Sequence, residues 1–486
     1  MAGCTLALDQ GSQSSRAIVY SPGGELLAEA KVPVSTQRYE DADNSSRVEQ
    51  DGAEIVESLK QAIAIVAGQT GPAAIGRVGI ATQRSSVVVW NRASGEAVTP
   101  VLSWQDRRAA AWLEGFEPQS HKIQSITGLL LSPHYGVSKI RWLMDNDTAV
   151  AAGIGRGDLI AGPLSSFILC NLLSEKPLLV DPANAGRTLL YDHTVCDWSD
   201  DLLAMFGILR SSLPVCVPSA HSYGRLQLHG VDAPLLLCNG DQSSALFAFG
   251  PARTDTAYAN LGTGAFFQRP VGRAVPHAEG LLSSIVFSNG DETDYVLEGT
   301  VNGSGSALNT VADELGLSRE EVNANLTGWL GRCVNPPLFL NGVSGLGAPW
   351  WIPDFPSQFV GEGSDEEKMV AVLESIIFLL HVNFDVAKEV AGMPERWIVT
   401  GGLAAVDGVC QKLADLSRIP VARPEAFEAT ALGVAQLLNL GNEAFKPVIT
   451  SSCGGEGIQP ETNKALDERY ARWHYAMSEV INNSYS

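Results

Sequence analysis

Two similar hairpins, one at the start of the chain and one just past its middle, constrain the fold more than any other feature. Residues 5–20 contain two apolar, strand-like runs around the polar turn 9–13. Residues 256–268 repeat this pattern around the segment 262–264, Gly-Thr-Gly. Two such hairpins, each opening one half of the chain, predict two domains built on one plan. Their turns are expected to face each other across a cleft.

The remaining sequence alternates strand-like and helix-like segments, which predicts α/β layering. We expect strands at 26–34, 77–81, 235–238 and 397–400, and helices at 51–67, 137–145, 367–390, 409–417 and 429–440. The polar segment 441–467 is predicted as a surface loop before a closing helix. A chain of 486 residues exceeds the roughly 250–300 residues at which a single core stops growing. We therefore place two domains at 1–250 and 251–486.

Charge and cysteine content restrict the partners and the compartment. The net charge of −21, from 33 basic and 54 acidic residues, argues against nucleic acid and anionic membranes as partners. The eight cysteines are scattered without a C-x-x-C pair, which indicates free thiols in a reducing compartment. The start of the chain shows no signal peptide, and the uncharged stretch 333–353 is broken by Pro, Gly and Asn. The sequence thus predicts a cytoplasmic protein that neither spans nor binds a membrane.

Several common catalytic signatures are missing from the sequence. It contains no G-x-x-x-x-G-K-[ST] loop, no G-x-G-x-x-G fingerprint, no H-E-x-x-H and no G-x-S-x-G elbow. These absences disfavour P-loop, Rossmann, zincin and α/β-hydrolase chemistry.

Asp241 is the strongest candidate for a catalytic base. It follows the apolar run 235–238 through Asn239 and Gly240, so its carboxylate is predicted at the end of a strand, where open α/β sheets bind ligands. Phosphoryl transfer requires such a base for the attacking hydroxyl, together with a phosphate cradle and a metal. The alternative is an Asp that caps the helix beginning at Gln242, and the two roles are compatible.

Asp9 and two glycine-containing turns are candidates for holding magnesium and phosphates. Mg²⁺ binds few carboxylates and keeps several waters, so one Asp beside a phosphate loop suits it. The amides and hydroxyls of Gly11, Ser12 and residues 262–264 are potential phosphate donors, and glycine permits close approach of the backbone. Turns also favour Asp for local reasons, which leaves a purely structural role for Asp9 open.

Two further loop regions have both a functional and a structural interpretation. Gly401 and Gly402 end the predicted strand 397–400 and either pass beneath a nucleotide or form a tight strand-to-helix turn, which local sequence alone favours. Arg84 and Trp104 suit a polyol pocket in which the guanidinium donates to hydroxyl oxygens and the ring packs on the carbon chain. A core Trp and a surface Arg account for the local sequence at least as well.

Taken in order along the chain, these segments resemble the FGGY carbohydrate kinases, and most closely the glycerol kinases among them. The similarity runs from Leu6 to about Leu440 and depends on the ordered series rather than on any one motif. The matching segments are 8–17 (LDQGSQSSRA), 48–51 (VEQD), 83–84 (QR), 103–108 (SWQDRR), 127–129 (TGL), 184–188 (NAGRT), 240–242 (GDQ), 262–264 (GTG), 297–299 (LEG), 344–349 (SGLGAP), 401–402 (GG), 423–424 (RP) and 430–433 (TALG).

The resemblance implies an ATP- and Mg²⁺-dependent kinase of a small polyol or sugar. It implies two ribonuclease-H-like domains of the actin and hexokinase type, with the active site in the cleft between them, and frequent assembly into homodimers or homotetramers. It assigns Asp241 as the base and Asp9 as the residue near magnesium. Acceptor-pocket positions fall on Arg84, Ser85, Trp104, His134, Asp241, Gln242 and Phe266. Nucleotide-site positions fall on Ser12, Gln13, Arg16, Thr263, Gly305, Asn309 and Gly402.

The chain departs from the glycerol kinase pattern mainly in the acceptor pocket. Ser85 stands where those enzymes carry a hydroxyl-binding Glu, and His134 replaces a pocket Tyr. A pocket that loses a polar partner can lose roughly 10²-fold in discrimination or change its ligand. On the nucleotide side, Gln13 replaces a Thr and Val406 an Asn, and the C-terminal tail is shorter.

Three functional hypotheses follow from the sequence. The first is a glycerol-type kinase, and the second is a kinase of the same family for a longer polyol or a ketose, which Ser85 and His134 favour. The third is a catalytically weak sensor that binds nucleotide or sugar, which the retained Asp9 and Asp241 disfavour. An actin-like filament protein or chaperone ATPase would have no use for the Arg84 and Trp104 pocket.

Overall fold

The framework consists of two six-stranded sheets, one in each half of the chain. The computed structural model describes residues 3–40, 46–424, 428–447 and 457–485. The first sheet has the strand order Ala220–Leu228, Val231–Gly240, Ile75–Thr82, Cys4–Gln10, Ser14–Tyr20, Leu26–Pro33. The second sheet has the order Leu282–Ser288, Thr293–Val301, Ala265–Gly272, Thr256–Leu261, Arg396–Thr400, Val421–Ala422.

The two sheets use the same pairing scheme. In the first sheet, Cys4–Gln10 pairs antiparallel with the next strand of its hairpin and parallel with Ile75–Thr82. In the second sheet, Thr256–Leu261 likewise pairs antiparallel with its hairpin partner and parallel with Arg396–Thr400. This repetition confirms the prediction that the two hairpins open two α/β units of one plan.

The turn of the first hairpin is shorter than predicted. Asp9 and Gln10 belong to the strand, where they pair with Arg16 and Ser15 across the hairpin and with Ala81 and Thr82 on the other side. Ladders on both sides hold these residues extended, so the predicted turn at 9–13 is wrong for its first two residues. The loop itself is closed by a 3.0 Å hydrogen bond from the Gly11 amide to the Ser14 carbonyl.

The helices cover the sheets and follow the apolar periodicity of the sequence. The predicted helix at 51–67 is Gly52–Thr70, and Asp51 is its N-cap because its Oδ1 accepts from the amides of Ala53 and Glu54. The other helices are Ala110–Glu114, Ser120–Thr127, Gly136–Asn146, Thr148–Arg156, Leu164–Leu172, Pro182–Ala185, Asp200–Phe206, Asp241–Ala245, Gly305–Leu315, Arg319–Arg332, Asp365–Ala391, Val409–Ser417, Ala429–Leu438 and Lys464–Tyr485.

Smaller sheets occur in both halves of the chain, most of them in the first. A five-stranded sheet has the order Gln37–Glu40, Ser46–Gln50, Val101–Leu102, Val87–Asn91, Leu159–Pro163, and it leads directly into the segment that carries Trp104. Three two-stranded pairs join Leu179–Val180 to Val215–Cys216, Tyr191–Asp192 to Asp197–Trp198, and Leu338–Leu340 to Gln358–Val360. The segment 333–353 contains only the strand Leu338–Leu340 and no helix, as predicted.

The long helix Asp365–Ala391 forms the centre of the second half. Among the described residues it is the one helix with the length and composition to cross a membrane, and 89% of its apolar window is buried inside the protein. Its start is fixed by a capping box between Ser364 and Glu367. Its apolar side chains therefore build the core beneath the second sheet.

The helix Ala429–Leu438 returns from the second half to pack on the first sheet. Gly79 of the first sheet makes room for it, since a Cβ there would lie 2.8 Å from atoms of both Val434 and Leu438. Just beyond the helix, Asn439 Nδ2 donates to Thr5 Oγ1 at 3.0 Å. The halves are thus joined by packed elements as well as by the connecting chain.

The C-terminal region contains the predicted loop and closing helix where it is described, but the helix begins at Lys464, so the prediction of a loop is wrong for residues 464–467. Residues 448–456 of the predicted loop 441–467, including Cys453, lie outside the described residues. The closing helix Lys464–Tyr485 is anchored by Arg469, whose Nε donates to the buried Glu374 at 2.9 Å. The seven cysteines within the described residues are free thiols, and Cys170, Cys238 and Cys410 are buried.

Candidate active site

Three parallel strands of the first sheet end side by side and bring the predicted acidic residues to one edge. Asp9 and Asn239 pair with Ala81 from its two sides, so the strands Cys4–Gln10, Ile75–Thr82 and Val231–Gly240 reach this edge together. Asp9 lies within the first strand, and Arg84 and Asp241 follow the other two. The carboxyl ends of parallel strands are where α/β folds collect ligand-binding groups.

Asp241 lies at the start of the short helix Asp241–Ala245. Its Oδ1 accepts from the amide of Gln242 at 2.7 Å, and Arg84 Nε lies 3.7 Å from the same oxygen. The side chain is 26% exposed, which leaves the carboxylate accessible from the cleft. Burial raises the pKa of Asp241 above its usual value of 3.8, against the lowering effect of the Arg84 guanidinium. Gly240 occupies the N-cap position, so Asp241 is not the cap of this helix.

The position of Arg84 depends on Gly240. A Cβ built on Gly240 would lie 2.5 Å from Cδ and 2.8 Å from Cγ of Arg84. The absence of a side chain at residue 240 therefore lets the stem of Arg84 run across the strand end next to Asp241. This contact explains why glycine immediately precedes the carboxylate.

Asp9 is almost completely buried beside one arginine. Its Oδ2 lies 3.4 Å from Arg16 Nη1, which also lies 2.5 Å from Glu428 Oε2. Burial, followed by the nearby charge of Asp241, raises the pKa of Asp9 to about 7, while Arg16 lowers it. A divalent cation at this position would favour the ionised carboxylate.

The donor set around Asp9 fits Mg²⁺ better than a tightly ligated transition metal. The described residues contain no cluster of three or more His, Cys, Asp or Glu side chains with metal-binding geometry. Mg²⁺ is typically held by one or two carboxylates together with waters and substrate phosphates. A single buried carboxylate beside a glycine-containing loop satisfies that requirement.

The first hairpin loop and the predicted acceptor pocket are directly connected. Trp104 Nε1 donates to Ser12 Oγ at 2.8 Å, and Ser12 Oγ donates to Gln83 Oε1 at 3.1 Å. The ring of Trp104 meets that of His134 edge to face at 5.6 Å between centroids. Trp104 and His134 therefore line one region together, and Ser12 joins it to the hairpin loop.

His134 lies among cations that disfavour its protonated form. Burial and then the charges of Arg107, Lys139, Arg187 and Arg84 lower the pKa of His134 well below its usual value of 6.5. At neutral pH this ring donates and accepts hydrogen bonds without carrying charge. His134 thus brings two ring nitrogens to the region, while its surroundings disfavour a positive charge on the ring.

Ser85 is held in a strained and incompletely bonded position. Its backbone has φ of 65°, and its carbonyl accepts from Lys139 Nζ at 3.4 Å. The side chain is buried, and its Oγ has no hydrogen-bond partner among the described residues. A buried hydroxyl without a partner costs stability unless a ligand satisfies it.

The second half contributes a buried carboxylate, Glu298, that sequence reasoning missed as a site residue. Glu298 Oε1 accepts from Nη1 and Nη2 of Arg84, both at 3.3 Å, and Oε2 accepts from Arg187. Within the second half, Gln268 Nε2 and Ser284 Oγ also donate to it, at 3.1 and 2.7 Å. The available signal was a single acid in the otherwise apolar run Tyr-Val-Leu-Glu-Gly of the strand Thr293–Val301.

Four of the seven predicted nucleotide residues lie in the second half, in the hairpin loop, after the neighbouring strand or in the helix Gly305–Leu315. Thr263 is exposed in the hairpin loop, and its carbonyl accepts from the amide of Ser306 at 3.0 Å, in the first turn of the helix that begins at Gly305. Gly402 follows the neighbouring strand, and a Cβ there would meet no described atom within 4 Å. Asn309 lies half-buried one turn further along the helix.

The paired glycines at 401 and 402 have different local roles. Gly401 has φ of 93°, and a Cβ would lie 2.5 Å from the carbonyl of Leu261, so a tight turn requires glycine there. Gly402 is exposed and unconstrained by neighbours. The structural interpretation therefore accounts for Gly401, while space for a ligand remains at Gly402.

The other predicted residues are placed less distinctively. Phe266 is half-buried and shares a face of its strand with Gln268, the donor to Glu298, because side chains alternate along a strand. Gln13 is exposed in the first hairpin loop, and Val406 packs at the margin of the second core.

The pairing scheme of the two sheets, together with the candidate site, defines a class of phosphotransferases that have two α/β domains and a cleft between them. Residues 4–248 match the model of the FGGY family of carbohydrate kinases, N-terminal domain, and residues 257–441 match that of the C-terminal domain. The chain belongs to the FGGY family of carbohydrate kinases and is a phosphotransferase that acts on a hydroxyl group.

Relatives named as glycerol kinases match nearly the whole chain. It is 34% identical over 452 residues to a glycerol kinase of Geobacter sp. (strain M21), covering 90% of each protein. It is 31% identical over 492 residues to a glycerol kinase of Shewanella woodyi, covering 98% of this chain and 99% of that one.

Solved structures confirm the two-domain fold. The glycerol kinase of Plasmodium falciparum with ADP superposes with a TM-score of 0.86 at 21% identity, covering 98% of each chain. A xylulose kinase from Rhodospirillum rubrum also reaches a TM-score of 0.86, at 18% identity and 98% coverage of each chain. The family's fold is thus established for both halves.

Proposed function

We propose that this protein transfers the γ-phosphoryl group of ATP to a hydroxyl of a small polyol or sugar, with glycerol as the leading acceptor and Asp241 as the general base. The observation that carries the proposal is the environment of Asp241. This partly exposed carboxylate lies at a strand end next to Arg84, and burial raises its pKa although the guanidinium lowers it. A base with a pKa closer to neutral is better matched to proton transfer from a hydroxyl. The full-length similarity to glycerol kinases supports glycerol.

The remaining assignments divide the chain at about residue 250, although some residues of each half contact the other half's substrate. We assign residues 1–250 to acceptor binding and the base, and residues 251–486 to the nucleotide. Acceptor contacts are proposed for Arg84, Ser85, Trp104, His134, Asp241, Gln242 and Phe266. ATP contacts are proposed for Ser12, Gln13, Arg16, Thr263, Gly305, Asn309 and Gly402, with Asp9 next to Mg²⁺.

The mechanism follows from these positions. Arg84 and Trp104 orient the acceptor, and Asp241 accepts the proton of its attacking hydroxyl. Asp9, together with waters and the nucleotide, would hold Mg²⁺, which would supply positive charge next to the phosphates. The amides of the two hairpin loops hold the phosphates while the halves exclude water, which limits hydrolysis of ATP.

The test measures ADP release by the purified protein with Mg-ATP against glycerol, longer polyols, ketoses and aldoses. Asp241→Asn should lower kcat with glycerol by about 10³-fold or more, because the general base is lost. Asp145→Asn is the matched control, since that carboxylate is 40% exposed and pairs with Arg141 on the same helix. Turnover by Asp241→Asn at the wild-type rate would refute the assignment of the base.

A second acceptor class is favoured by one observation, the buried hydroxyl of Ser85 without a partner among the described residues. A small side chain and a neutral imidazole leave room and hydrogen-bonding capacity for a longer polyol or a ketose. Turnover with such an acceptor but not with glycerol would select this candidate. Nucleotide binding without turnover on the whole panel would instead indicate a sensor.

The cellular location and the oligomeric state of this protein remain predictions. A cytoplasmic location follows from the sequence and is supported by the glycerol kinase relatives. A homodimer or homotetramer is expected from the family, and sedimentation of the purified protein tests it.

A further inference from the structure

Glu298 is a buried carboxylate that receives donors from both halves of the molecule. Arg84 and Arg187 reach it from the first half, while Gln268 and Ser284 hold it from the second. The side chains of Glu298 and Arg187 are each 7% exposed. Both oxygens of this one carboxylate are therefore engaged in connecting the two halves beside the cleft.

The contacts of Arg84 divide its guanidinium between two carboxylates. Nη1 and Nη2 both point to Glu298 Oε1, at 3.3 Å, whereas Nε lies 3.7 Å from Asp241 Oδ1. A guanidinium is planar and rigid, so fixing its two terminal nitrogens also fixes Nε. The separation from Asp241 is that of an ion pair without a close hydrogen bond.

We propose that Glu298 is a positioning residue of the phosphotransfer reaction. It holds the two halves together at the acceptor side, and it draws Arg84 away from a close bond with Asp241. The Asp241 carboxylate then keeps an oxygen available for the acceptor's hydroxyl. This inference rests on the proposed function, in which Asp241 is the general base.

The loss of Glu298 has a defined chemical consequence. Without Glu298, the buried Arg84 and Arg187 would lose a counter-charge. The carboxylate that Arg84 could reach instead is the partly exposed Asp241. Arg84 would then bond Asp241 directly and make it a weaker base. Gln268 and Ser284 show that the second half holds Glu298 in place by itself, so its orientation does not depend on Arg84.

The deciding experiment compares Glu298→Gln with Glu374→Gln. Glu374 is a matched control because it is also a buried carboxylate of the second half, bonded to Lys412 and Arg469 but outside the cleft. Both variants should melt at lower temperature than the wild type. Only Glu298→Gln should lose kcat/KM for the acceptor, by about 10²-fold, as expected when a reacting group is displaced by an ångström. Its affinity for ADP, measured by calorimetry, should stay within twofold of the wild type.

Glu298→Asp provides a second test if the Gln variant does not fold. It keeps the charge but is one methylene shorter, so it cannot hold both arginines. We expect kcat/KM between those of the wild type and the Gln variant. Wild-type kcat/KM in a folded Glu298→Asp or Glu298→Gln protein, or equal losses of kcat/KM in Glu298→Gln and Glu374→Gln, would overturn the inference.

Failure of the proposed function would give a different result. If Asp241 is not the base, Asp241→Asn retains activity whatever the outcome at Glu298. If Asp241→Asn is inactive while folded Glu298 variants are fully active, the base is upheld and the positioning role is rejected.

Discussion

The indole of Trp104 and the hydroxyl of Ser12 are joined by a 2.8 Å hydrogen bond between Nε1 and Oγ. Trp104 belongs to the proposed acceptor pocket, whereas Ser12 belongs to the loop proposed to hold the phosphates of ATP. Ser12 Oγ also donates to Gln83, the residue before Arg84, so this one hydroxyl links the two proposed substrate regions. The proposed acceptor and nucleotide regions are thus connected within the first half of the chain.

Replacing Ser12 by Ala should weaken the use of both substrates. The change leaves the indole N–H and Gln83 Oε1 without this partner, a loss of about 1–3 kcal/mol. We expect KM for the acceptor and KM for ATP each to rise several-fold. Ser15→Ala is the control, since that hydroxyl lies on the same hairpin but bonds Ser58 at 2.8 Å. An increase in KM for ATP alone would show that the link to Trp104 has no role in acceptor binding.

Replacing Gly240 by Ala should displace Arg84. The new Cβ would fall 2.5 Å from Arg84 Cδ, and overpacking of this kind costs about 1–3 kcal/mol. We expect kcat/KM to fall about 10²-fold as the guanidinium moves relative to Asp241. Gly68→Ala, at an exposed helical site where a Cβ meets no described atom within 4 Å, should raise the melting temperature and leave the kinetics unchanged. Normal kinetics in Gly240→Ala would mean that the Arg84 stem can be repositioned without effect.

Replacing Ser85 by Ala should stabilise the free protein and impair acceptor binding. Its buried hydroxyl has no partner among the described residues, so removing it relieves a cost of about 1 kcal/mol or more. If this hydroxyl binds the acceptor, its removal also weakens acceptor binding, and KM for the acceptor should rise. Thermal melting and initial-rate kinetics measure the two effects, and an unchanged KM would assign Ser85 no role in the pocket.

The stability of the nucleotide-free protein should depend on pH through Asp9. Its pKa of about 7 in the folded chain exceeds the value of 3.8 expected after unfolding, because burial disfavours the charged form. The folded state therefore binds the additional proton, and stability present below pH 4 is lost as the pH rises towards 7. The loss is of the order of 4 kcal/mol at most.

Melting curves from pH 5 to 8 in EDTA test this expectation. The melting temperature of the wild type should fall as the pH rises, and that of Asp9→Asn should fall less because its amide does not titrate. Addition of Mg²⁺ with ADP should raise the melting temperature of the wild type most at pH 8, where the carboxylate is ionised. Parallel curves for wild type and Asp9→Asn would exclude Asp9 as the titrating group.

The framework of the fold was predictable from local pattern. The hairpin repeat identified the two sheets, and apolar periodicity located helices such as Val409–Ser417 at their observed bounds. The extension of the first strand to Gln10 was missed because pairing with Thr82, far along the chain, keeps polar residues extended. The register between strands that are far apart in the chain cannot be deduced from a short segment of the sequence.

The site was predictable in part, for the same physical reason. Asp9, near the end of one apolar strand, and Asp241, directly after another, could be recognised as strand-end carboxylates. Glu298 could not be given partners, since Arg84 and Arg187 reach it only when the two halves meet. The connection of Ser12 to Trp104 was equally hidden, because residues on two different elements share one hydroxyl only in the folded chain.

The return of the helix Ala429–Leu438 to the first sheet limits how this protein can be divided. Gly433 lies so close to the helix that begins at Asp241 that a Cβ would fall 1.8 Å from the carbonyl of Ser244. A fragment ending at residue 250 would lack this layer and expose the apolar face around Ala7 and Leu237. In chimeras that exchange halves with another kinase at residue 250, the first sheet of one protein would be covered by the corresponding helix of the other. Successful recombination therefore has to transfer residues 429–438 together with the N-terminal half.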